Sequence, residues 1–140
     1  MSTLYTTKAT AFNGRDGRVT TEDGAVDLAL VRPPELGGKG DAGTNPEQLF
    51  ACGYAACFGA TLQALSRPRK LSPSRNEVKA EIGLVKRTEG GFVLSAKLQV
   101  ILAGISQNEA EELVEEAHRT CPYSNSIRQT IDVEIETIVA

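Results

Sequence analysis

The chain has 140 residues, of which 41% are hydrophobic and 24% charged, and its formal net charge at pH 7 is -3. These values are typical of a soluble protein with one globular domain, here residues 1–140. The acidic balance argues against a nucleic-acid surface, and no apolar run reaches the length of a membrane span. The first residues lack the charged and apolar regions of a signal peptide, so we expect a cytoplasmic protein.

The N-terminal third of the sequence predicts three strands and a long loop. Polar and apolar residues alternate over 3–12, and "NGRDG" after them is a strong turn signal. Residues 18–30 predict two further strands, joined by a turn at Asp23-Gly24. Residues 32–46 are rich in proline and glycine and show no regular spacing of hydrophobic residues, which predicts a loop. Loops of this length in compact domains are often functional.

A long helix is predicted next. Asn45 suits the N-cap, Pro46 the first helical position and Glu47 the first turn. The helix is expected to continue to about Ser66, before the next proline. It is apolar nearly all round, which indicates a buried helix at the centre of the fold.

The second half predicts a hairpin, a helix and a closing strand. Residues 77–88 and 92–102 flank the turn "EGG". The capping box "SQNE" then opens an acidic amphipathic helix, which Pro122 must end or break. Residues 131–139 alternate as a last strand. The order β-β-β-α-β-β-α-β predicts an α+β fold with antiparallel-rich sheets around the long central helix.

The three cysteines are the candidates for chemistry. Their odd number and the absence of CxxC argue against a structural disulfide frame or a zinc ribbon. Cys52 and Cys57 lie about 140° apart round one helix and roughly 7.5 Å apart along it, so they cannot form a disulfide without unwinding it. If Cys57 has a partner in its own chain, that partner is Cys121. Free cysteine is also a common core residue, and we assign Cys52 to that role.

A reactive Cys57 needs a nearby cation, because an apolar pocket raises the pKa of a thiol. His118 is one candidate, although its position fits a residue at a helix C-terminus better than a base. Arg15 and Arg18 in "NGRDGR" are the others, and Arg18 fits a solvated hairpin charge. An arginine aimed inward needs a carboxylate to hold it, and Glu47 could serve.

Glu47 and Cys57 cannot meet within one straight helix, because they are separated by about 15 Å along its axis. They meet only if the preceding loop folds back or if a second subunit contributes one of them. The small residues Gly53, Ala56 and Ala60 at helical spacing permit close approach of helices, which favours a dimer.

Four stretches, "GRDGRV", "PPELGG", "TNPEQLFACGYAACF" and "AHRTCPYSNSIR", together resemble the organic hydroperoxide resistance proteins of the OsmC-like superfamily. The resemblance extends almost end to end. It implies an OsmC-like fold, an intertwined homodimer with two active sites at the subunit interface, and a thiol peroxidase without haem, flavin or metal.

The resemblance also implies roles for four residues. Cys57 would be the peroxidatic cysteine and Cys121 the resolving cysteine, while Arg15 and Glu47 would flank the reactive thiol. Cys57 would become a sulfenic acid, and Cys121 would close a disulfide with it. The implied partners are an organic (alkyl or fatty-acid) hydroperoxide as substrate and a dihydrolipoyl-type dithiol as reductant. The sequence departs from the family at Cys52, where alanine is usual, and at "SIRQT", where "ATRGN" is more common.

Three other interpretations stay open. A general OsmC-type peroxidase would share the two-cysteine chemistry and act on both hydrogen peroxide and organic peroxides. A metal-binding module would use Cys57, His118 and Cys121, although no fourth ligand is evident. A structural protein with inert cysteines would react only slowly with alkylating agents at neutral pH.

Overall fold

The structure, a computed structural model, describes every residue from Met1 to Ala140. The strands are β1 (Ala9–Phe12), β2 (Arg18–Thr21), β3 (Asp27–Ala29), β4 (Arg75–Lys86), β5 (Phe92–Ala103) and β6 (Val133–Val139). The helices are α1 (Pro46–Ser66), α2 (Gln107–Thr120) and α3 (Pro122–Ile127). The predicted element order is confirmed, with α3 as an addition. The chain divides into two compact units, Met1–Leu49 and Phe50–Ala140, so the single domain over residues 1–140 stays a prediction.

The first unit contains a three-stranded antiparallel sheet in the order β1-β2-β3. The strand predicted over 3–12 forms only from Ala9 onward. The stretch "NGRDG" forms a 3₁₀ turn at Gly14–Asp16. A Cβ on Gly17 would lie 1.8 Å from the carbonyl oxygen of Phe12, so only glycine permits the tight return that carries Arg15.

The second unit contains the sheet β4-β5-β6, with β5 at its centre. Strands β4 and β5 pair antiparallel along their whole length, whereas β6 lies parallel to β5. The capping box at the start of α2 is present, as predicted. One buried cluster joins the apolar faces of the sheet and helices; it includes Tyr54, Phe58, Leu62, Leu98, Val100, Leu102, Leu113 and Cys121.

Helix α1 packs one face into the core, as predicted for a central helix, while its other residues are half-buried or exposed within this chain. Its buried residues are Tyr54, Phe58, Leu62 and Ser66, spaced four apart. An 18-residue window has a mean hydropathy of 1.3, so α1 is long and apolar enough by composition alone to span a membrane. Its buried face nevertheless belongs to the protein core, as expected for the core helix of a globular fold.

Candidate active site

The structure brings Cys57 and Cys121 together, although they are 64 positions apart in the chain. Their Sγ atoms are 3.7 Å apart, with the thiol of Cys121 directed at Cys57. Cys121 is fully buried and Cys57 half-buried, and both thiols are free. A disulfide requires an S–S distance of about 2.05 Å. The two sulfurs are therefore not bonded here, but they are close enough to form a disulfide after a small movement.

Pro122 explains why Cys121 lies at this point. Proline lacks an amide hydrogen and disfavours helical geometry in the residue before it, so α2 ends at Thr120. Cys121 is extended (φ -58°, ψ 127°), and Pro122 opens the short helix α3 at its favoured first position. The break turns the chain and leaves Cys121 between two helices.

The surroundings of Cys57 favour its neutral thiol. Burial raises the pKa of Cys57, and the neighbouring Cys121, whose own charge would disfavour a second thiolate, raises it further. The backbone N–H of Tyr123 donates to the sulfur and acts in the opposite direction. Within the unit Phe50–Ala140 no cation lowers this pKa. A thiolate at neutral pH needs a cation that these residues do not provide.

Arg15 and Glu47 form a pair in the first unit. Arg15 Nη1 donates to Glu47 Oε2 at 2.8 Å, and Nη2 donates to Oε1 at 2.6 Å. Their side chains are 28% and 16% exposed, so the pair is partly desolvated. The hydrogen bonds from Arg15 hold the pKa of Glu47 below its ordinary value. This geometry fixes the guanidinium plane with a carboxylate, as expected from the sequence.

The remaining cation candidates have structural partners. Arg18 forms an exposed ion pair with Asp27, which agrees with a solvated hairpin charge. His118 lies half-buried in the last turn of α2, with Nδ1 3.0 Å from Ser124 Oγ. Burial, with a smaller effect of Arg128, lowers the pKa of His118. His118 is therefore neutral at pH 7 and supplies no positive charge to the thiols.

The structure does not support the core assignment of Cys52 or the alternative interpretation as a metal-binding module. Cys52 is exposed on α1, so its assignment to the core is wrong for this chain. No group of three or more His, Cys, Asp or Glu side chains has the geometry of a metal site, and Cys57, His118 and Cys121 are no exception. The metal-binding interpretation therefore has no geometric support.

Sequence reasoning missed the hydrogen bond between the Tyr54 and Ser124 hydroxyls, which lies among aromatic rings beside the thiols. Tyr54 and Tyr123 stack at 5.8 Å between ring centroids, and Phe50 meets the edge of Tyr123 at 5.7 Å. The Tyr54 hydroxyl lies 2.6 Å from Ser124 Oγ. The available signal was spacing, because Tyr54 precedes Cys57 and Ser124 follows Cys121 by three residues each, close to one helical turn.

Comparison with known proteins identifies the family. The model of the OsmC-like proteins matches residues 38–136. The chain belongs to the OsmC-like protein family. It is 44% identical over 133 residues to the organic hydroperoxide resistance protein of Xanthomonas axonopodis pv. citri, covering 94% of this chain and 93% of that protein.

Solved structures extend the likeness of this OsmC-like protein to its fold. An organic hydroperoxide resistance protein of Legionella pneumophila matches with a TM-score of 0.94 and 46% identity, covering 99% of this chain and all (100%) of that one. The organic hydroperoxide resistance protein OhrB of Bacillus subtilis matches with a TM-score of 0.87 and 39% identity, covering 96% and 99%. The predicted OsmC-like α+β fold is thus confirmed, while the roles of Arg15, Glu47, Cys57 and Cys121 stay predictions.

Proposed function

We propose that this protein is a cysteine-based thiol peroxidase that reduces organic hydroperoxides to alcohols. The observation that carries the proposal is the 3.7 Å approach of two free thiols, Cys57 and Cys121, at a largely apolar core. The names of the relatives from Xanthomonas, Legionella and Bacillus support the same kind of substrate. The proposed chemistry uses sulfur alone and requires no cofactor.

In the proposed mechanism the Cys57 thiolate attacks the outer oxygen of the hydroperoxide. The O–O bond breaks, the alkoxide takes a proton and leaves as the alcohol, and Cys57 becomes a sulfenic acid. Cys121 then attacks the Cys57 sulfur, which forms the disulfide and releases water. A dihydrolipoyl-type dithiol reduces this disulfide and becomes a cyclic disulfide itself.

Arg15 would supply the cation that Cys57 needs. A guanidinium held in one plane by Glu47 stabilises a thiolate without losing its own orientation. We propose that the two residues meet the thiol in an intertwined homodimer. The unit Met1–Leu49 supports this, because Leu30 is its only buried hydrophobic residue while Leu4 is 96% exposed and Tyr5 77% exposed. A unit this small rarely folds without further burial of apolar surface.

The substrate class follows from the surroundings of the thiols. Phe50, Tyr123 and the other partly buried apolar groups near Cys57 suit an alkyl or fatty-acid hydroperoxide better than hydrogen peroxide. The alternative is a general OsmC-type peroxidase that acts on both. A cytoplasmic location accords with the proposal, because the dithiol reductant requires a reducing compartment.

The decisive experiment follows consumption of tert-butyl hydroperoxide with dihydrolipoamide as reductant. We expect Cys57→Ser to abolish turnover and Cys121→Ser to lose turnover with this reductant. Cys52→Ser is the matched control, since it removes an exposed thiol of the same helix, and should retain activity. No consumption by the wild type, or equal consumption by Cys57→Ser, would refute the proposal. Equal kcat/KM for hydrogen peroxide would favour the general OsmC-type alternative.

A further inference from the structure

Three polar side chains beside the two thiols, Tyr54, Ser124 and His118, are joined by hydrogen bonds and have no role in the proposed mechanism. The Tyr54 hydroxyl lies 2.6 Å from Ser124 Oγ, and Ser124 Oγ lies 3.0 Å from His118 Nδ1. Tyr54 and Ser124 are both fully buried. Each has been removed from water, so each depends on these partners for its hydrogen bonding.

Each of these three polar side chains lies three residues from a cysteine in the sequence. Tyr54 precedes Cys57 by three residues on α1, His118 precedes Cys121 by three at the end of α2, and Ser124 follows Cys121 by three on α3. Residues three apart on a helix share a face, as Tyr54 and Cys57 do on α1, whereas Cys121 itself lies extended between α2 and α3. One serine hydroxyl therefore connects the three helices beside the point where the sulfurs meet.

The protonation states of Tyr54 and His118 allow both hydrogen bonds of Ser124 to form at the same time. Burial raises the pKa of Tyr54, which keeps its phenol protonated, and His118 is neutral for the reason given above. A neutral imidazole with its proton on Nε2 accepts at Nδ1. The Tyr54 hydroxyl then donates to Ser124, and the Ser124 hydroxyl donates to His118, so both buried hydroxyls are satisfied.

We infer that Ser124, held between Tyr54 and His118, is a positioning residue for disulfide formation between Cys57 and Cys121. The sulfurs must approach by roughly 1.7 Å, from 3.7 Å to the bonded distance. Holding the helices in register one turn away leaves only a local movement at the cysteines, and such pre-orientation raises the rate of an intramolecular step. The inference rests on the proposed function for its oxidant but not for the pairing of the thiols.

The step that Ser124 would accelerate is the condensation. The Cys121 sulfur attacks the sulfur of the Cys57 sulfenic acid, the S–S bond forms, and the S–O bond breaks. The hydroxyl leaves with the proton of the Cys121 thiol as water. A slower condensation lengthens the life of the sulfenic acid and exposes it to a second peroxide, which yields sulfinic acid.

The test compares Tyr54→Phe, Ser124→Ala, the double variant and the wild type, each confirmed as folded by circular dichroism. Reduced protein receives one equivalent of tert-butyl hydroperoxide without reductant, and samples are quenched with dimedone for intact mass spectrometry. We expect peroxide loss at the wild-type rate but disulfide formation slowed roughly tenfold, the factor for one lost hydrogen bond, with dimedone adduct accumulating. The double variant should be no slower than Ser124→Ala, because Ser124→Ala already removes the bond to Tyr54 that Tyr54→Phe removes.

Ser126→Ala is the matched control, because Ser126 is an exposed serine of the same helix whose hydroxyl donates to the Pro122 carbonyl. It should form the disulfide as fast as the wild type. Wild-type rates in Tyr54→Phe and Ser124→Ala, equal slowing in Ser126→Ala, or multiplied effects in the double variant would each overturn the inference.

A second arm separates this inference from the proposed function. The same proteins are equilibrated in glutathione redox buffers, where no peroxide is needed. The Tyr54→Phe and Ser124→Ala proteins should require a roughly tenfold more oxidising buffer to reach half disulfide. If wild-type Cys57 ignores peroxide but this difference is found, the peroxidase proposal fails and the positioning role stands. If the variants and the wild type form the disulfide at the same buffer potential, the positioning role is refuted, whether or not Cys57 reacts with peroxide.

Discussion

Arg15 and Glu47 form a two-fold hydrogen-bonded ion pair that is partly shielded from water. Both bonds are short, and both side chains are less than a third exposed. Removing one partner of such a pair leaves the other desolvated without its counter-ion, which costs more than the pair itself contributes. The consequence is measurable in the free energy of unfolding.

We predict that Glu47→Gln lowers the free energy of unfolding at pH 7 by about 1–3 kcal/mol. The folded-state pKa of Glu47 lies below its ordinary value of 4.5. The stabilisation is therefore fully present above that value and is lost as the pH falls through the folded-state pKa. Urea unfolding from pH 7 downward should show the difference between wild type and variant shrinking.

Glu35→Gln is the control for this measurement, because Glu35 is an exposed carboxylate of the same unit without an ion-pair partner. It should change the free energy of unfolding little at any pH. A loss in Glu47→Gln no greater than in this control, or a difference that persists unchanged in acid, would contradict the role assigned to the pair.

At the same scale, the sequence predicted residue types better than their contacts. The spacing of Cys52 and Cys57 excluded a disulfide between them. An arginine directed into the protein required a carboxylate partner such as Glu47. The link of Tyr54 to Ser124 spans 70 positions, and no local pattern encodes a contact of that kind. Exposure of Cys52 was missed for a similar reason, since composition shows an apolar helix but not which face the core covers.

Among the elements, α1 offers two glycines with opposite surroundings. A Cβ on Gly53 would lie 2.4 Å from the Tyr123 hydroxyl and 3.1 Å from Cζ of the same ring. A Cβ on Gly59 would find its nearest neighbour, Val78 Cγ2, at 3.8 Å, an ordinary contact. Gly53 thus permits Tyr123 to lie against α1 beside the thiols, whereas no side chain packs closely against the Cβ position of Gly59.

We predict that Gly59→Ala raises the free energy of unfolding by about 0.5–1 kcal/mol, because alanine favours a helix more than glycine does. Gly53→Ala gains the same propensity but must displace Tyr123, at about 1–3 kcal/mol of overpacking, so it should be neutral or destabilising. Parallel urea titrations of the two variants provide the measurement. Equal stabilisation by both would show that Tyr123 is not held against Gly53.

Elements with strong local signals and the antiparallel hairpins were predicted well, whereas the pairing of the last strand was not. Pro46 and the capping box at Ser106 marked the starts of α1 and α2. Alternation over 131–139 predicted a strand but carries no information on its direction, so the parallel pairing of β6 with β5 was missed. Alternation over 3–8 satisfied the pattern, yet no strand of the chain pairs there.

At the scale of the whole molecule, the chain leaves apolar surface uncovered. Phe12 is 55% exposed in the first unit, and α1 exposes a row of small residues four apart at Cys52, Ala56, Ala60 and Ala64. Small side chains allow two helices to approach closely, and uncovered apolar surface favours association. The sequence showed small residues at helical spacing on α1, but it did not show which of them are exposed, because burial depends on what the assembled protein places against them.

The last prediction concerns which chain supplies Arg15 to a given Cys57. We expect the protein to have twice the mass of one chain in solution and Arg15 of one subunit to serve Cys57 of its partner. A mixed dimer of an Arg15→Ala chain and a Cys57→Ser chain then retains one intact site and about half of the wild-type peroxidase activity. Both parent homodimers should be inactive. The converse mixed dimer, one wild-type chain with one chain carrying both changes, should be inactive as well once it is isolated from the homodimers, because each site then lacks either its thiol or its arginine. The opposite pattern, activity only in the converse mixture, would mean that each chain supplies its own arginine.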